Sequence, residues 1–134
     1  WDKAKEAYTQ ADNGSSSYIN PNFNDSHFTS VTSPSLSILV LNHGVTQPQE
    51  RDKLVDDMDK AGYRPLTLSE LMALGIIKPE LNKRNEVLNT YKKYSLDGGL
   101  HAPCLDWNGV RRYLLANGVS IEWNVWCRFL FVRK

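Results

Sequence analysis

The spacing of hydrophobic residues changes from a helical to a strand pattern near residue 85, and this change most constrains the fold. Before it, one face of a predicted helix carries Leu54, Val55, Met58 and Ala61. After it, short apolar segments separated by turn residues predict strands. Because a buried strand is also predicted at 35–41, the order is strand, two helices, then several antiparallel strands. This order predicts an α+β fold with two helices gathered on one side of a sheet of mixed or antiparallel strands.

Capping signals predict the ends of both helices. The first helix is predicted to begin at an N-cap threonine, Thr46, and to stop at Gly62. The second begins with the capping box Thr67-Leu68-Ser69-Glu70, in which the first and last side chains bond each other's backbone N–H groups. Gly75 and Pro79 are predicted to close this second helix.

Turn residues divide the rest of the chain into strands and an N-terminal arm. The predicted strands lie at 87–96 (one strand or a pair), 101–105, 111–117 and 128–133. Asp97-Gly98-Gly99 is typical of a turn between antiparallel strands. Residues 1–35 are polar and rich in Asn and Ser, which predicts an arm with a short helix at 2–10, followed by one domain at 36–134.

Composition excludes several classes of function. The net charge of +1 gives no basic excess for a nucleic-acid partner. No apolar run approaches the roughly 18–20 residues of a membrane helix, so we expect no membrane insertion. The sequence contains no spacing typical of a metal site and no phosphate- or dinucleotide-binding motif, so no metal and no cofactor are expected. These exclusions favour a binding module over an enzyme.

The two cysteines, Cys104 and Cys127, leave two alternatives open. Two independent thiols are favoured over a single bridge, since two cysteines are too few for a disulfide scaffold. A small cysteine-using enzyme is the alternative to a binding module, with Cys127 or Cys104 as its reactive residue. Cys104 is the one with a histidine close to it in the sequence. Its nearest histidine, His101, lies three residues before it, and residues three apart on a strand point to opposite faces. The pair is therefore a poor catalytic dyad.

The segment 112–117 predicts a strand with two different faces. Alternation places Arg112, Leu114 and Ala116 on one face, and Tyr113, Leu115 and Asn117 on the other. One face can build the core, and the second must be covered or bind something. Exposed aromatic rings and asparagine side chains are favoured at binding surfaces, because they combine large contact area with adaptable hydrogen bonds. The segment therefore predicts a recognition surface, with Trp107 and Trp126 in adjoining loops.

Several of these segments resemble one known family. They are Gly62 to Leu71, Ala102-Pro103-Cys104-Leu105, Arg112 to Ala116, Trp123 to Phe129 and the terminal Phe131-Val132-Arg133-Lys134. Together they resemble the variable proteins of diversity-generating retroelements, over roughly residues 36–134. The resemblance implies a C-type-lectin-like fold with a variable region at about 106–127. It also implies a ligand-binding function without catalysis, for a microbial or viral protein at a virion or cell surface.

The resemblance divides the residues of the C-terminal region into two sets. The invariant scaffold would comprise Arg112, Leu114, Ala116, Trp123, Arg128, Phe129, Val132 and Arg133. The ligand-binding, diversified positions would be Trp107, Asn108, Tyr113, Leu115, Asn117, Val119, Ser120, Glu122, Asn124, Val125, Trp126 and Cys127, flanked by Asp106 and Val110. Substitutions at these positions are expected to change stability by no more than about 0.5 kcal/mol.

The predicted partner is a protein or another macromolecule, and the oligomeric state stays open. The calcium motif of sugar-binding lectins is absent from the sequence, so the fold name does not imply sugar binding. An interaction domain with one fixed partner is a further alternative, which protein sequence does not distinguish from a diversified one.

Overall fold

A computed structural model describes residues 5–8, 17–27, 38–41, 47–77, 87–107, 112–123 and 127–134 of the chain. The described helices are α1 (Pro48–Lys60) and α2 (Leu68–Ile77), with a helical turn at 5–8 and a 3₁₀ turn at Asp25–His27. The strands are β1 (Ser17–Ile19), β2 (Ile38–Leu41), β3 (Tyr63–Pro65), β4 (Val87–Asn89), β5 (Tyr94–Leu96), β6 (Gly99–Trp107), β7 (Arg112–Gly118) and β8 (Cys127–Arg133).

All eight of these strands belong to one mixed sheet. Its order is β1-β7-β6-β4-β8-β2, with β3 added to β8 and β5 added to β6. The β1–β7 and β4–β8 pairs are parallel, and the other pairs are antiparallel. The predicted α+β class with a mixed sheet is therefore confirmed, and the predicted segment 87–96 is a pair of strands.

The two helices cover opposite faces of the sheet, so the prediction that they gather on one side is wrong. Strand β8 shows this arrangement most clearly. Leu130 and Val132 belong to the same buried cluster as Leu71 of α2. Phe129 and Phe131 belong to a second cluster with Leu54 of α1. A strand that is buried on both faces carries a continuous apolar run, and the run from 129 to 132 was the signal for this arrangement.

The helix ends agree only in part with the predictions. In α2, the Thr67 N–H donates to Glu70 Oε1 over 2.9 Å and the Glu70 N–H donates to Thr67 Oγ1 over 3.2 Å, so the capping box is confirmed. The N-cap of α1 is Gln47, which makes no side-chain capping bond. The predicted N-cap, Thr46, lies outside the described residues. Pro48 is the first helical residue of α1, a position that suits proline because its ring presets the helical φ.

Gly75 does not close α2, because the helix continues to Ile77, and Pro79 lies outside the described residues. The glycine is buried, and a Cβ atom there would lie 3.0 Å from Tyr8 Cε2 and 3.4 Å from Arg112 Nη1. A larger residue would therefore push against the side chains that connect α2 to the sheet. The glycine at this position serves close packing rather than termination.

Arg112 joins three separate parts of the chain. It is fully buried at the start of β7, and its guanidinium donates to the carbonyl oxygens of Gly75 and Tyr8. The guanidinium also lies 4.1 Å from the ring centroid of Tyr8. The described parts of the N-terminal segment are thus integrated with the core, since Tyr8 and Phe23 are buried and β1 extends the sheet.

The turn between β5 and β6 has the predicted form. Asp97 and Gly98 have φ angles of 47° and 81°, as a two-residue type I′ hairpin turn requires. Among the described residues, no helix has the length and apolar character that a membrane span needs.

Replacing Glu70 by glutamine tests the link between the capping box and Arg64. Both guanidinium Nη atoms donate to the carboxylate, over 2.7 and 3.0 Å. Burial alone would raise the pKa of Glu70, but Arg64 and the Thr67 N–H hold the pKa below its ordinary value. The ionised pair therefore stabilises the fold above the ordinary glutamate pKa of about 4.3, and this stabilisation is lost as pH falls through the folded-state value.

At pH 7, Glu70→Gln should lower the free energy of unfolding by about 1–2 kcal/mol. Urea unfolding from pH 7 to pH 3 should show the difference from wild type shrinking below pH about 4.3. The exposed Glu50 of α1 provides the control, and Glu50→Gln should change stability by no more than about 0.5 kcal/mol. A difference between wild type and Glu70→Gln that is constant with pH would contradict the assignment.

Candidate functional site

Strand β7 sorts its side chains into two sets, as its alternation predicts. Arg112 and Leu114 are fully buried on the side that faces α2. Tyr113, Leu115 and Asn117 point to the other side of the sheet and are half-buried. Helix α1 covers that side over β8, and the part formed by β7 and β6 is left partly exposed.

We define the outer face as this partly exposed area: Asp106, Tyr113, Leu115, Asn117 and the turn residues 119–122. In the antiparallel register of β6 and β7, Tyr113 is opposite Asp106 and Leu115 is opposite Cys104. On the other edge of β7, Tyr113 is paired with Tyr18 of β1, and their ring centroids are 5.6 Å apart. The outer face therefore spans three adjacent strands.

The turn after β7 is held from inside the protein by Arg51. This residue is fully buried on α1, and its Nη2 atom donates to the carbonyl oxygens of Val119, over 3.1 Å, and Ile121. Its guanidinium carbon lies 4.0 Å from the ring centroid of Trp123. Because the acceptors are backbone atoms, the side chains at 120–122 take no part in these bonds.

Trp123 closes the turn against the core. It is only 6% exposed, and its Nε1–H donates to the Gly118 carbonyl over 2.9 Å. The indole stacks on Phe129 with 6.2 Å between the ring centroids. It forms a T-shaped contact with Tyr91, whose ring centroid is 5.3 Å away. The sequence assigned Trp123 to the scaffold, and its burial agrees with that role.

Tyr91 completes this inner support. Its φ of 52° lies in the left-handed region, which is uncommon for a bulky residue. The ring is 3% exposed, and its hydroxyl donates to Asp52 Oδ1 on α1 over 2.9 Å. Burial, followed by the Asp52 hydrogen bond, raises the pKa of Tyr91 above its ordinary value. The neutral hydroxyl is therefore available as a donor at neutral pH.

Sequence reasoning missed both Arg51 and Tyr91. The signal for Arg51 was its position three residues before Leu54, on the apolar stripe of α1. Tyr91 lies between two short strands, and no feature of the sequence indicated its conformation.

A cavity of about 200 Å³ opens on the outer face. Four residues of the predicted ligand-binding set line it, namely Leu115, Asn117, Glu122 and Cys127. The Asn117 side-chain amide donates to Asn89 Oδ1 over 3.3 Å and to Cys104 Sγ over 3.1 Å. Asn89 is fully buried, so Asn117 has a structural role beside its exposed one.

The predicted positions in the turn, at the end of β6 and in the loops differ in their surroundings. Val119 is half-buried and packs against the core, while Ser120 and Glu122 are exposed in the turn. Trp107 is the last residue of β6 rather than part of a loop, and its register partner is Arg112. Alternation therefore places it on the side of Leu105 and not with Tyr113. Asn108, Val110, Asn124, Val125 and Trp126 lie outside the described residues.

Cys127 is not the exposed loop residue that was predicted. It is the first residue of β8 and is 3% exposed, in the same cluster as Phe129 and Phe131. Strand alternation from these two phenylalanines places it toward the core. It forms part of the cavity lining and offers little surface to a partner.

Both cysteines are free thiols, which agrees with the favoured alternative. Strand β4 lies between β6 and β8, so two strand spacings, roughly 9–10 Å, separate the cysteine-bearing strands. Disulfides join Cα atoms less than about 7 Å apart. Burial, with a smaller contribution from Asp106, raises the pKa of the Cys104 thiol far above its ordinary value. The protonated thiol is a poor nucleophile.

Within the described ranges, no group of three or more His, Cys, Asp or Glu side chains is placed to hold a metal ion. Comparison of the chain with protein-family models, with curated proteins and with solved structures gave no match.

Replacing Arg51 by methionine tests whether this residue supports the turn. The variant should lose about 2–4 kcal/mol of unfolding free energy, because two carbonyl groups lose a buried donor and Trp123 loses its cationic neighbour. Urea unfolding measures the loss, and amide hydrogen exchange should become faster at 119–123. The control is Lys53→Met, two residues along α1, where the side chain is 75% exposed and the change should leave stability close to that of wild type. Equal behaviour of the two variants would show that Arg51 does not support the turn.

Proposed function

We propose that the chain is a ligand-binding display protein whose outer face recognises macromolecular targets and is diversified by a retroelement. The division of β7 into a buried set and a partly exposed set is the observation that carries the proposal. Such a division allows side chains to change on one face while the other face holds the fold. Recognition would then depend on surface complementarity, with no covalent step.

The composition of the outer face supports a role in binding. It combines a tyrosine, an asparagine and aliphatic side chains, which are typical of adaptable recognition surfaces. Among the described residues, the exposed large hydrophobic side chains are Ile77, Leu100 and Ile121. Two of the three adjoin the turn, since Ile121 belongs to it and the Leu100 carbonyl accepts the Val119 N–H over 3.1 Å. The outer face therefore has exposed apolar side chains in its turn and beside it.

The way in which the turn is anchored supports diversification. The bonds from Arg51 and from the Leu100 carbonyl to this turn reach backbone atoms of Val119 and Ile121. Ser120 and Glu122 are exposed, and among the described residues their side chains have no hydrogen-bond partner that a replacement would leave buried. A turn that is held in this way can carry different side chains without losing its shape.

The α+β architecture supports a C-type-lectin-like scaffold at the coarse level of helices and strands. The resemblance leads us to expect two helices on mixed or antiparallel strands, and the fold has both. We therefore propose the C-type-lectin-like fold together with the display function.

Matched substitutions on the two faces test the proposal through stability. Ser120→Ala and Glu122→Ala should each change the free energy of unfolding by no more than about 0.5 kcal/mol. Leu114→Ala, on the buried face of the same region, should cost about 2–5 kcal/mol. Asn117→Ala should lie between them, at about 1–3 kcal/mol, because Asn89 loses a donor in a buried site. Losses of several kcal/mol at Ser120 and Glu122 would contradict a tolerant display surface.

The DNA of the source genome tests diversification itself. We expect a near-identical template repeat downstream of the coding segment for the variable region, differing from it at adenines. Sequencing the locus in related isolates should show amino-acid differences concentrated at the outer-face codons and absent from the codon of Leu114. A locus without such a repeat would contradict diversification and leave a domain with one fixed partner.

A further inference from the structure

The cavity on the outer face is too small for an ordinary small-molecule site. Its volume is about 200 Å³, whereas pockets for drug-sized ligands occupy roughly 300–1,000 Å³. It is bounded by β6, β7, the start of β8 and the turn that Arg51 holds. A space of this size, open on a surface proposed to bind macromolecules, suits one side chain of a partner.

The charged side chains that line the cavity are both acidic. Asp106 contributes a carboxylate from β6, and Glu122 contributes a second one from the turn. Among the described residues that line the cavity, none is Lys, Arg or His. The Asp106 carboxylate is oriented by the Trp107 N–H, which donates to its Oδ1 over 2.7 Å. A cationic group is therefore the charged group that this cavity favours.

The cavity lining also includes apolar side chains. Leu115 and Ile121 are two of them, and Ile121 is 58% exposed. Long basic side chains place their methylene stems along apolar surface and keep the charged end among polar groups. An arginine fits two carboxylates on separate elements better than a lysine does, because its planar guanidinium presents five donors in several directions.

We propose that this cavity binds one arginine side chain presented by a protein target. The inference rests on the display function proposed above and gives that function a specific chemistry in this chain. The stem of the arginine lies against Leu115 and Ile121, and the guanidinium lies between Asp106 and Glu122. If position 122 is diversified, the preference for a cation belongs to this variant and changes with the residue there.

Nuclear magnetic resonance titration with two isosteric probes tests this assignment. Nα-acetyl-arginine amide and the neutral Nα-acetyl-citrulline amide are added separately to ¹⁵N-labelled full chain at low salt. The arginine probe should shift the amide signals of Leu115, Asn117 and Glu122 with a dissociation constant roughly three- to tenfold lower than that of citrulline. The difference should decrease with added salt, because exposed charge pairs are screened.

Charge-removing variants identify the groups that the probe meets. Glu122→Gln and Asp106→Asn should each remove part of the preference for arginine, and the double variant should bind the two probes equally. Glu50→Gln removes an exposed carboxylate of α1 that is not among the described residues lining the cavity, and it should leave the preference unchanged.

Two results would overturn the arginine assignment. Equal affinity of wild type for both probes at the outer face would exclude a charge preference, although the face would still bind. An absence of shifts at Leu115, Asn117 and Glu122 with either probe would exclude the cavity as a side-chain site. Neither result decides the display function, which depends on the stability of the outer-face variants and on the template repeat.

Discussion

The hydrogen bonds from buried Arg51 to the carbonyls of Val119 and Ile121 are the contacts on which the candidate surface depends. A turn has few backbone partners of its own, so its shape usually depends on the side chains within it. Here the Arg51 guanidinium on α1 donates hydrogen bonds to two carbonyl groups of the turn from inside the protein. Its central carbon lies 4.0 Å from the ring centroid of Trp123. Burying a charged group is costly, and this cost is offset by several hydrogen bonds and by an aromatic neighbour. The result is a rigid turn whose outward side chains contribute little to its conformation.

Arg112 makes contacts of the same kind on the opposite face of the sheet. It is also fully buried, donates to two backbone carbonyls and lies close to an aromatic ring, that of Tyr8. Its bonds connect β7 to α2 and to the helical turn at 5–8. The two arginines therefore fix β7 and the following turn from both sides of the sheet. Stability is concentrated in these inward contacts and in the two apolar clusters, and the outer face can be used for recognition.

Local signals predicted the structure well where one short segment determines it. The capping box of α2, the Asp97-Gly98 turn and the alternation of β7 all follow from neighbouring residues, and all three are confirmed. Predictions were wrong where the answer depends on distant partners. The placement of α1 opposite α2 depends on which face of β8 each helix meets, and the burial of Cys127 depends on its register in the sheet. The positions of Trp107 and Tyr91 likewise depend on pairing and packing that the sequence does not encode locally.

Asn117 belongs both to the outer face and to the hydrogen bonding of the interior. Its side chain lines the cavity, and its amide also satisfies the buried Asn89 through a 3.3 Å hydrogen bond. A substitution there changes the outer face and the interior together, whereas one at Ser120 changes the outer face alone. Positions on one face are therefore not equally free to vary. If diversification acts on this chain, the physical cost of each change follows the hydrogen bonds that its side chain makes inward, and the turn held by Arg51 is where that cost is smallest.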